Sequence, residues 1–176
     1  MSYYETIYEY AADNYGLITT AQAKELEIPS IELVKLFHRN RLRRIWHGVY
    51  RISHYIPTSL DKYAEAVAIV GEGAYIYGES VLAMHGLALI NPTQLYVATS
   101  NRVRKTLPKH IKKVYIKKTS HVAYFEGIPS QDIVSAIIMC REQIMTDRLS
   151  KAIEEAEEQG LISDEDRKYL KESISI

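Results

Sequence analysis

The segment from Ser30 to Ile52, SIELVKLFHRNRLRRIWHGVYRI, constrains the fold of this chain more than any other part of the sequence. Its first half carries Leu33, Leu36 and Phe37 at the i, i+3 and i+4 spacing of one helical face. Polar and charged residues occupy the remaining positions of the same stretch. The pattern predicts an amphipathic helix that packs one apolar stripe against the rest of the fold.

The ends of this helix and the residues after it predict a helix followed by a hairpin. Ser30 follows a proline and is predicted to cap the first turn, whereas Asn40 is predicted to take the left-handed conformation that ends the helix. Two β-prone runs then flank Trp46-His47-Gly48, where Gly48 supplies the positive φ of a tight turn. A helix with a two-stranded wing is the expected result.

The charge of this segment distinguishes it from an ordinary packed helix. There is no acidic residue between Leu33 and Leu60, although the formal net charge of the whole chain is zero. The basic residues are Lys35, Arg39, Arg41, Arg43, Arg44 and Arg51. A basic helix and wing favour duplex DNA, with the helix in the major groove and the wing cations on the phosphates. The alternative is a solvated basic surface without a function.

Two further helices are predicted before this segment. The first runs from about Tyr3 to Tyr15, and Gly16 ends it. Its inward stripe is predicted to be Ile7, Tyr8, Ala11 and Tyr15. Thr19 and Gln22 form a capping box that starts the second helix, which continues through Leu26. Three helices and a hairpin give a winged helix-turn-helix domain over residues 1–55.

The string GLITTAQAKELEIP, the basic helix and RLRRIWHGVYRI together resemble the N-terminal domain of AbiEi-family antitoxins. The matching positions are Gly16, Leu17, Thr19, Ala23, Leu26, Ile28, Leu33, Leu36, Arg41, Leu42, Gly48, Val49, Tyr50 and Arg51. One difference is that Ser30, Ile31 and Glu32 stand where relatives often carry Arg, Ser or Thr. The predicted DNA contacts are Thr20, Ser30, Ile31, Glu32, Lys35, His38, Arg39, Arg41, Arg43, Arg44, His47 and Arg51.

A polar linker, Ser53 to Ser59, leads to a second predicted domain over residues 60–176. It combines helices with a small sheet, so the predicted fold class is α+β. The main predicted helices cover Asp61 to Val70, a Ser80-capped segment closed by Gly86, Asp132 to about Met145, and Asp147 to Gln159. A Gly-x-Ser-x-x-Ala-x-His-Gly-Leu segment, Gly78 to Leu87, also resembles AbiEi-like proteins.

This second domain contains an acid-free basic stretch between Arg102 and Lys118. Its cations are Arg102, Arg104, Lys105, Lys109, Lys112, Lys113, Lys117 and Lys118. Part of the stretch is strand-like, and three interpretations compete. It is a lysine-protected edge strand, a second surface for phosphates, or a docking face for an acidic partner.

The cysteine count, the apolar runs and the motifs of the sequence indicate which classes of protein are excluded. The single cysteine, Cys140, has apolar neighbours and is predicted to be a buried, inert thiol in a reducing compartment. No apolar run approaches the length of a membrane span and no secretory signal is visible, so a cytoplasmic protein without membrane contact is expected. Phosphate-binding glycine loops, metal-ligand motifs and nuclease-type carboxylate pairs are not found. We therefore expect no cofactor, no metal site and no enzymatic activity.

The resemblance implies an antitoxin of a type IV toxin-antitoxin system, which represses its own promoter and counteracts a nucleotidyltransferase-like toxin. The alternative is a stand-alone winged-helix regulator whose second domain binds a ligand or another protein. A neighbouring reading frame for such a toxin would separate the two.

Overall fold

A computed structural model describes residues 1–118 and 121–175; Ile176, the last residue of the predicted second domain, lies outside the described residues. The chain divides into two compact units, Met1–Glu72 and Gly73–Ile176. Each unit combines helices with a small sheet, which confirms the predicted α+β class. The predicted limits, 1–55 and 60–176, differ from this division in the placement of one helix, described below.

Unit 1 has the element order of a winged helix. Its elements are α1 (Tyr3–Ala12), β1 (Leu17–Thr19), α2 (Thr20–Glu25), α3 (Ser30–His38), β2 (Leu42–Trp46), β3 (Val49–Ile52) and α4 (Asp61–Val70). The three strands form one antiparallel sheet in the order β1-β3-β2. The helical stripe and the hairpin predicted between Ser30 and Ile52 are therefore both present.

The local signals at the ends of α2 and α3 hold with one exception. Thr19 and Gln22 form the predicted capping box, with each side chain accepting the other residue's backbone N–H. Asn40 has a φ of 58° and ends α3 in the left-handed region. Ser30 does not cap α3, because Pro29 occupies the N-cap position and makes no side-chain hydrogen bond. Ser30 is instead the first helical residue and remains exposed.

The start of the chain differs in three further ways from the prediction. Helix α1 ends at Ala12, because the chain turns through the left-handed residues Tyr15 and Gly16. Tyr8, predicted to face inward, is 43% exposed. Strand β1 was not predicted, and its three residues pair with β3. The core of the unit consists of Ile7, Ala11, Ile18, Ala23, Ile28, Leu33, Leu36, Leu42, Tyr50 and Ile52.

Helix α4 belongs to unit 1 because side chains tie it to the end of the wing. The Tyr55 hydroxyl donates to Asp61 Oδ1 at 2.7 Å. Arg51 of β3 pairs with Glu65 of α4. The sequence placed this helix in the second domain because the polar stretch before it has the composition of a linker.

Unit 2 is built around a five-stranded sheet. Its strands are β4 (Tyr75–Ile76), β5 (Leu95–Thr99), β6 (Ile111–Tyr115), β7 (Ala123–Phe125) and β8 (Ile128–Ser130). The strand order is β6-β5-β4-β8-β7, with parallel pairing in β5/β6 and β4/β8. The helices are α5 (Glu79–Met84), α6 (Ile133–Met139), α7 (Thr146–Glu158) and α8 (Asp164–Ile174). Short 3-10 segments cover Leu87–Leu89 and Cys140–Glu142.

Two predicted features of unit 2 are wrong in detail. Ser80 does not cap α5; it is fully buried, and its hydroxyl accepts the backbone N–H of Tyr96. Helix α6 ends at Met139, where the chain tightens into a 3-10 turn before reaching Met145. None of the helices in the described ranges has the length and apolar character needed to cross a bilayer.

Candidate nucleic-acid interface

Helix α3 buries one face and exposes the other. Leu33 and Leu36 of the predicted stripe are buried, whereas Phe37, its third residue, is only half-buried. The exposed residues of the helix are Ser30, Ile31, Lys35 and His38, followed by Arg39 at its C-cap. A recognition helix needs such an exposed face, because its side chains must reach the base edges.

A cleft of about 430 Å³ lies between α3, the start of α2 and the wing. We call it the recognition cleft, and it is lined by Thr20, Ser30, Ile31, Val34, Phe37, His38, Arg44, His47, Gly48 and Tyr50. Six of the twelve predicted DNA contacts are in this set. Apolar side chains of α3 and β3 meet polar and basic side chains of the wing in one concave surface.

The start of α2 is fastened to the turn of the wing. The backbone N–H of Thr20 donates to the carbonyl of Gly48 at 2.9 Å, and the Thr20 hydroxyl donates to the same oxygen at 3.4 Å. Gly48 has a φ of 73°, and a Cβ there would lie 3.3 Å from Thr20 Oγ1. Thr20 therefore positions the wing as well as lining the cleft.

The wing presents Arg44 toward the cleft. Arg44 lies opposite Tyr50 in the strand pairing, and both residues line the cleft. Arg44 Nη2 donates to His47 Nδ1 at 2.8 Å. Because a guanidinium has no acceptor, this contact needs the neutral ring of His47, whose other nitrogen then carries a proton to donate. Arg43 is exposed, but the register places it on the opposite face of the wing.

Three of the other predicted contacts, Glu32, Lys35 and Arg41, already have partners within the protein. Lys35 Nζ forms an ion pair with Glu32 Oε1 at 2.9 Å. The Arg41 guanidinium lies 5.3 Å from the centre of the Tyr4 ring. Each of the three charged side chains keeps access to solvent, and exposed pairs of this kind are weak enough to exchange for a phosphate.

Arg51 was predicted to contact phosphate, but its side chain is held by partners within the protein. It is only 5% exposed, and its Nε donates to the carbonyl of Tyr15 at 3.0 Å. Its Nη1 pairs with Glu65, and its guanidinium lies 4.9 Å from the centre of the Tyr55 ring. The reason is its place in the sheet, since β3 is the central strand and β2 the edge. Arg51 is a structural residue that holds α4 to the wing.

The predicted second basic surface lies at one edge of the sheet in unit 2. Strand β6 is the terminal strand, and it carries Lys112 and Lys113. All eight predicted cations are exposed, six of them in the segments that flank β6. This position is the one that a lysine-protected edge strand requires. Lys113 Nζ also donates to the carbonyl of Val103 at 3.4 Å.

A second cavity, of about 270 Å³, lies within unit 2. His85 lines it together with Phe125, whose ring centre is 4.1 Å from that of the imidazole. Burial lowers the pKa of His85 to about 4. His85 Nδ1 is buried and has no hydrogen-bond partner among residues 1–118 and 121–175. The cavity also receives the carboxyl-bearing residues Asp132 and Asp166.

No group of three or more His, Cys, Asp or Glu side chains is placed to hold a metal ion in the described part of the chain. Cys140 is buried as predicted, and burial raises the pKa of its thiol to about 12.

Sequence reasoning missed part of the recognition cleft. Val34 was not predicted, although it lies three positions after Ile31 on the same helical face. Phe37 was expected only in the buried stripe of α3 and Tyr50 only in the wing, yet both line the cleft, with their ring centres 6.4 Å apart. Helical spacing could have identified Val34, whereas the role of Tyr50 depends on how the wing packs on α3.

The sequence of unit 1 resembles a known protein family. No curated protein matches the chain. A family model described as a transcriptional regulator, AbiEi antitoxin, matches residues 5–53, a segment that runs from α1 to the end of the wing. This match confirms the resemblance to AbiEi-family antitoxins, and its description is that of a transcriptional regulator. Over residues 5–53, the chain is therefore similar to the AbiEi antitoxin family of transcriptional regulators.

Proposed function

We propose that this protein is a DNA-binding antitoxin of a type IV toxin-antitoxin system. In this proposal unit 1 represses the protein's own promoter, and the chain counteracts a nucleotidyltransferase-like toxin. The observation that carries the proposal is the recognition cleft, in which the exposed face of α3 meets the Arg44 side of the wing, within the segment that matches the family.

The arrangement of charge supports duplex DNA as the ligand. Lys35, Arg39 and Arg44 are exposed around the outer face of α3, and Arg41 follows the helix. Three or four phosphate contacts give a slope of log K against log salt of roughly −3 to −4, at about 0.9 per contact. With Arg51 buried, this slope is shallower than six available cations would produce.

The test is a salt series of binding to a duplex that contains the DNA upstream of the gene. Arg44→Ala should weaken binding to all sequences and reduce the magnitude of the slope by about one. Arg43→Ala is the matched control, because it removes the same charge from the opposite face of the same strand and should change the slope less. Equal effects of the two substitutions would refute contact through the cleft side of the wing.

We propose that unit 2 carries the interaction with the toxin system. Its edge strand β6 and the flanking cations form an exposed field suited to an acidic partner or to further phosphates. Co-expression with a neighbouring toxin candidate tests this assignment. Rescue of growth by residues 1–72 alone would refute it. Rescue by the full chain carrying Lys109, Lys112, Lys113 and Lys117 as Ala would reject only the basic surface.

The second candidate function is a stand-alone regulator whose C-terminal unit binds a small ligand. The cavity beside His85 favours it, because an unpaired buried Nδ1 is a ready acceptor or donor for a ligand group. A toxin-like reading frame beside the gene, together with growth rescue, would decide against this candidate.

A further inference from the structure

We infer that Ile31 reads the methyl group of a thymine in the major groove. This inference rests on the proposed DNA binding and specifies which chemical feature of the bases the recognition helix detects. The structural basis is an exposed apolar side chain at the start of α3, in a cleft that Arg44 of the wing also lines.

Packing does not explain why position 31 is apolar. Ile31 is 54% exposed, whereas Leu33 on the opposite face of the same helix is fully buried. Val34, one turn further along, is half-buried and lines the same cleft. The apolar surface at this end of α3 therefore points away from the core of unit 1.

The position along the helix matches direct contact with bases. Ile31 is the second residue of α3, and the N-terminal residues of a recognition helix are those that contact base edges. The carboxylate of the next residue, Glu32, already forms an ion pair with the Lys35 ammonium group. This leaves Ile31 and the small hydroxyl of Ser30 as the groups that project from the first turn.

The chemistry of the groove then selects one base. Thymine is the only base of unmodified DNA that presents a methyl group in the major groove, and apolar side chains are its usual contacts. The exposed hydrogen-bonding groups of the other bases would lose water against Ile31 without gaining a partner. Arg44 on the wing side of the cleft supplies the attraction for phosphate that brings the groove to this surface.

The test uses the full chain and duplexes that the wild-type protein enriches from a random pool. Each thymine of the enriched site is replaced in turn by deoxyuridine, which removes only the methyl group. At one position the affinity of the wild-type protein should fall about fourfold, as expected for one buried methyl group. In Ile31→Ala the same replacement should have almost no effect.

The control variant is Ile56→Ala, which truncates another isoleucine, 84% exposed and outside the cleft. It should retain the fourfold difference between thymine and deoxyuridine. Ile31→Val should retain most of it, because a branched apolar side chain remains. Circular dichroism of each variant verifies that the fold is kept.

Two outcomes separate the inference from the proposed function. If the wild-type protein enriches no sequence, both fail. If it enriches a sequence but no deoxyuridine replacement weakens binding, or if Ile31→Ala shows the same loss as the wild-type protein, only the role of Ile31 is overturned.

Discussion

Truncation of Arg51 should destabilise unit 1 without removing a DNA contact. Three interactions disappear in Arg51→Ala: the hydrogen bond to the Tyr15 carbonyl, the pair with Glu65, and the stacking on Tyr55. A hydrogen bond from a charged donor contributes about 1.5–3 kcal/mol. The other two contribute about 1 kcal/mol each at most, because Glu65 is 26% exposed and can be rehydrated. The free energy of unfolding should therefore fall by about 3 kcal/mol.

The assay is urea unfolding followed by tryptophan fluorescence. Trp46 is the only tryptophan of the chain and lies in β2, so its signal reports on unit 1. Arg43→Ala is the control, because Arg43 is exposed and lies directly opposite Arg51 in the register of β2 and β3. It should change the free energy of unfolding by less than about 0.5 kcal/mol.

Two results are expected for Arg51→Ala. Arg51→Ala must unfold at clearly lower urea than the wild-type protein, and while folded it must keep the wild-type salt dependence of DNA binding. A variant of unchanged stability with a shallower salt slope would mean that Arg51 turns outward to contact phosphate, and would refute the structural role.

The remaining predictions concern unit boundaries and titration. A fragment of residues 1–72 should unfold cooperatively, whereas residues 1–55 should be much less stable in circular dichroism, because the latter lacks the carboxylates that pair with the end of the wing. The free energy of unfolding should be constant above pH 6.5 and fall between pH 6.5 and about 4. In that range His85 takes up a proton in the unfolded chain, where its pKa is ordinary, but not in the folded one, where burial lowers the pKa to about 4. Since the ring is partly exposed, the loss should be at most about 2 kcal/mol, and it should be missing in the pH series of His85→Gln. The Cys140 thiol, with its pKa raised to about 12 by burial, should react with a thiol reagent at pH 8 only as unit 2 unfolds; fast reaction in the native protein would contradict this.

Local signals predicted the parts of the fold that depend on neighbours in sequence. The capping box at Thr19, the left-handed Asn40 and the turn at Gly48 are all present, and α4 covers the predicted residues Asp61–Val70. Each of these features needs only a few adjacent residues to be recognised.

The sequence predictions fail where the structure depends on pairing between strands that are distant in sequence. Strand β1 has three residues, too few for a periodicity, and it exists because β3 pairs with it. That pairing makes β3 the central strand and buries Arg51, which looks like any other wing cation in the sequence. Strand β8 contains Pro129, a residue that disfavours strands, and the turn before it is confined to Glu126 and Gly127.

In the candidate site too, features that depend on adjacent residues could be predicted, and features that depend on distant residues could not. The exposed face of α3 followed from helical spacing, since the positions opposite Leu33 and Leu36 must face solvent. The fastening of Thr20 to Gly48, which shapes the cleft, joins residues far apart in sequence. No local pattern contains that information.

The position of β6 at the end of its sheet has an evolutionary consequence. An uncharged, β-prone edge invites pairing with the edge of another copy, and lysines are one of the means by which proteins prevent it. Lys112 and Lys113 on this strand would then be maintained by selection for solubility, whether or not a partner uses them. Homologues that no longer bind a partner through β6 would then still carry lysines on this strand.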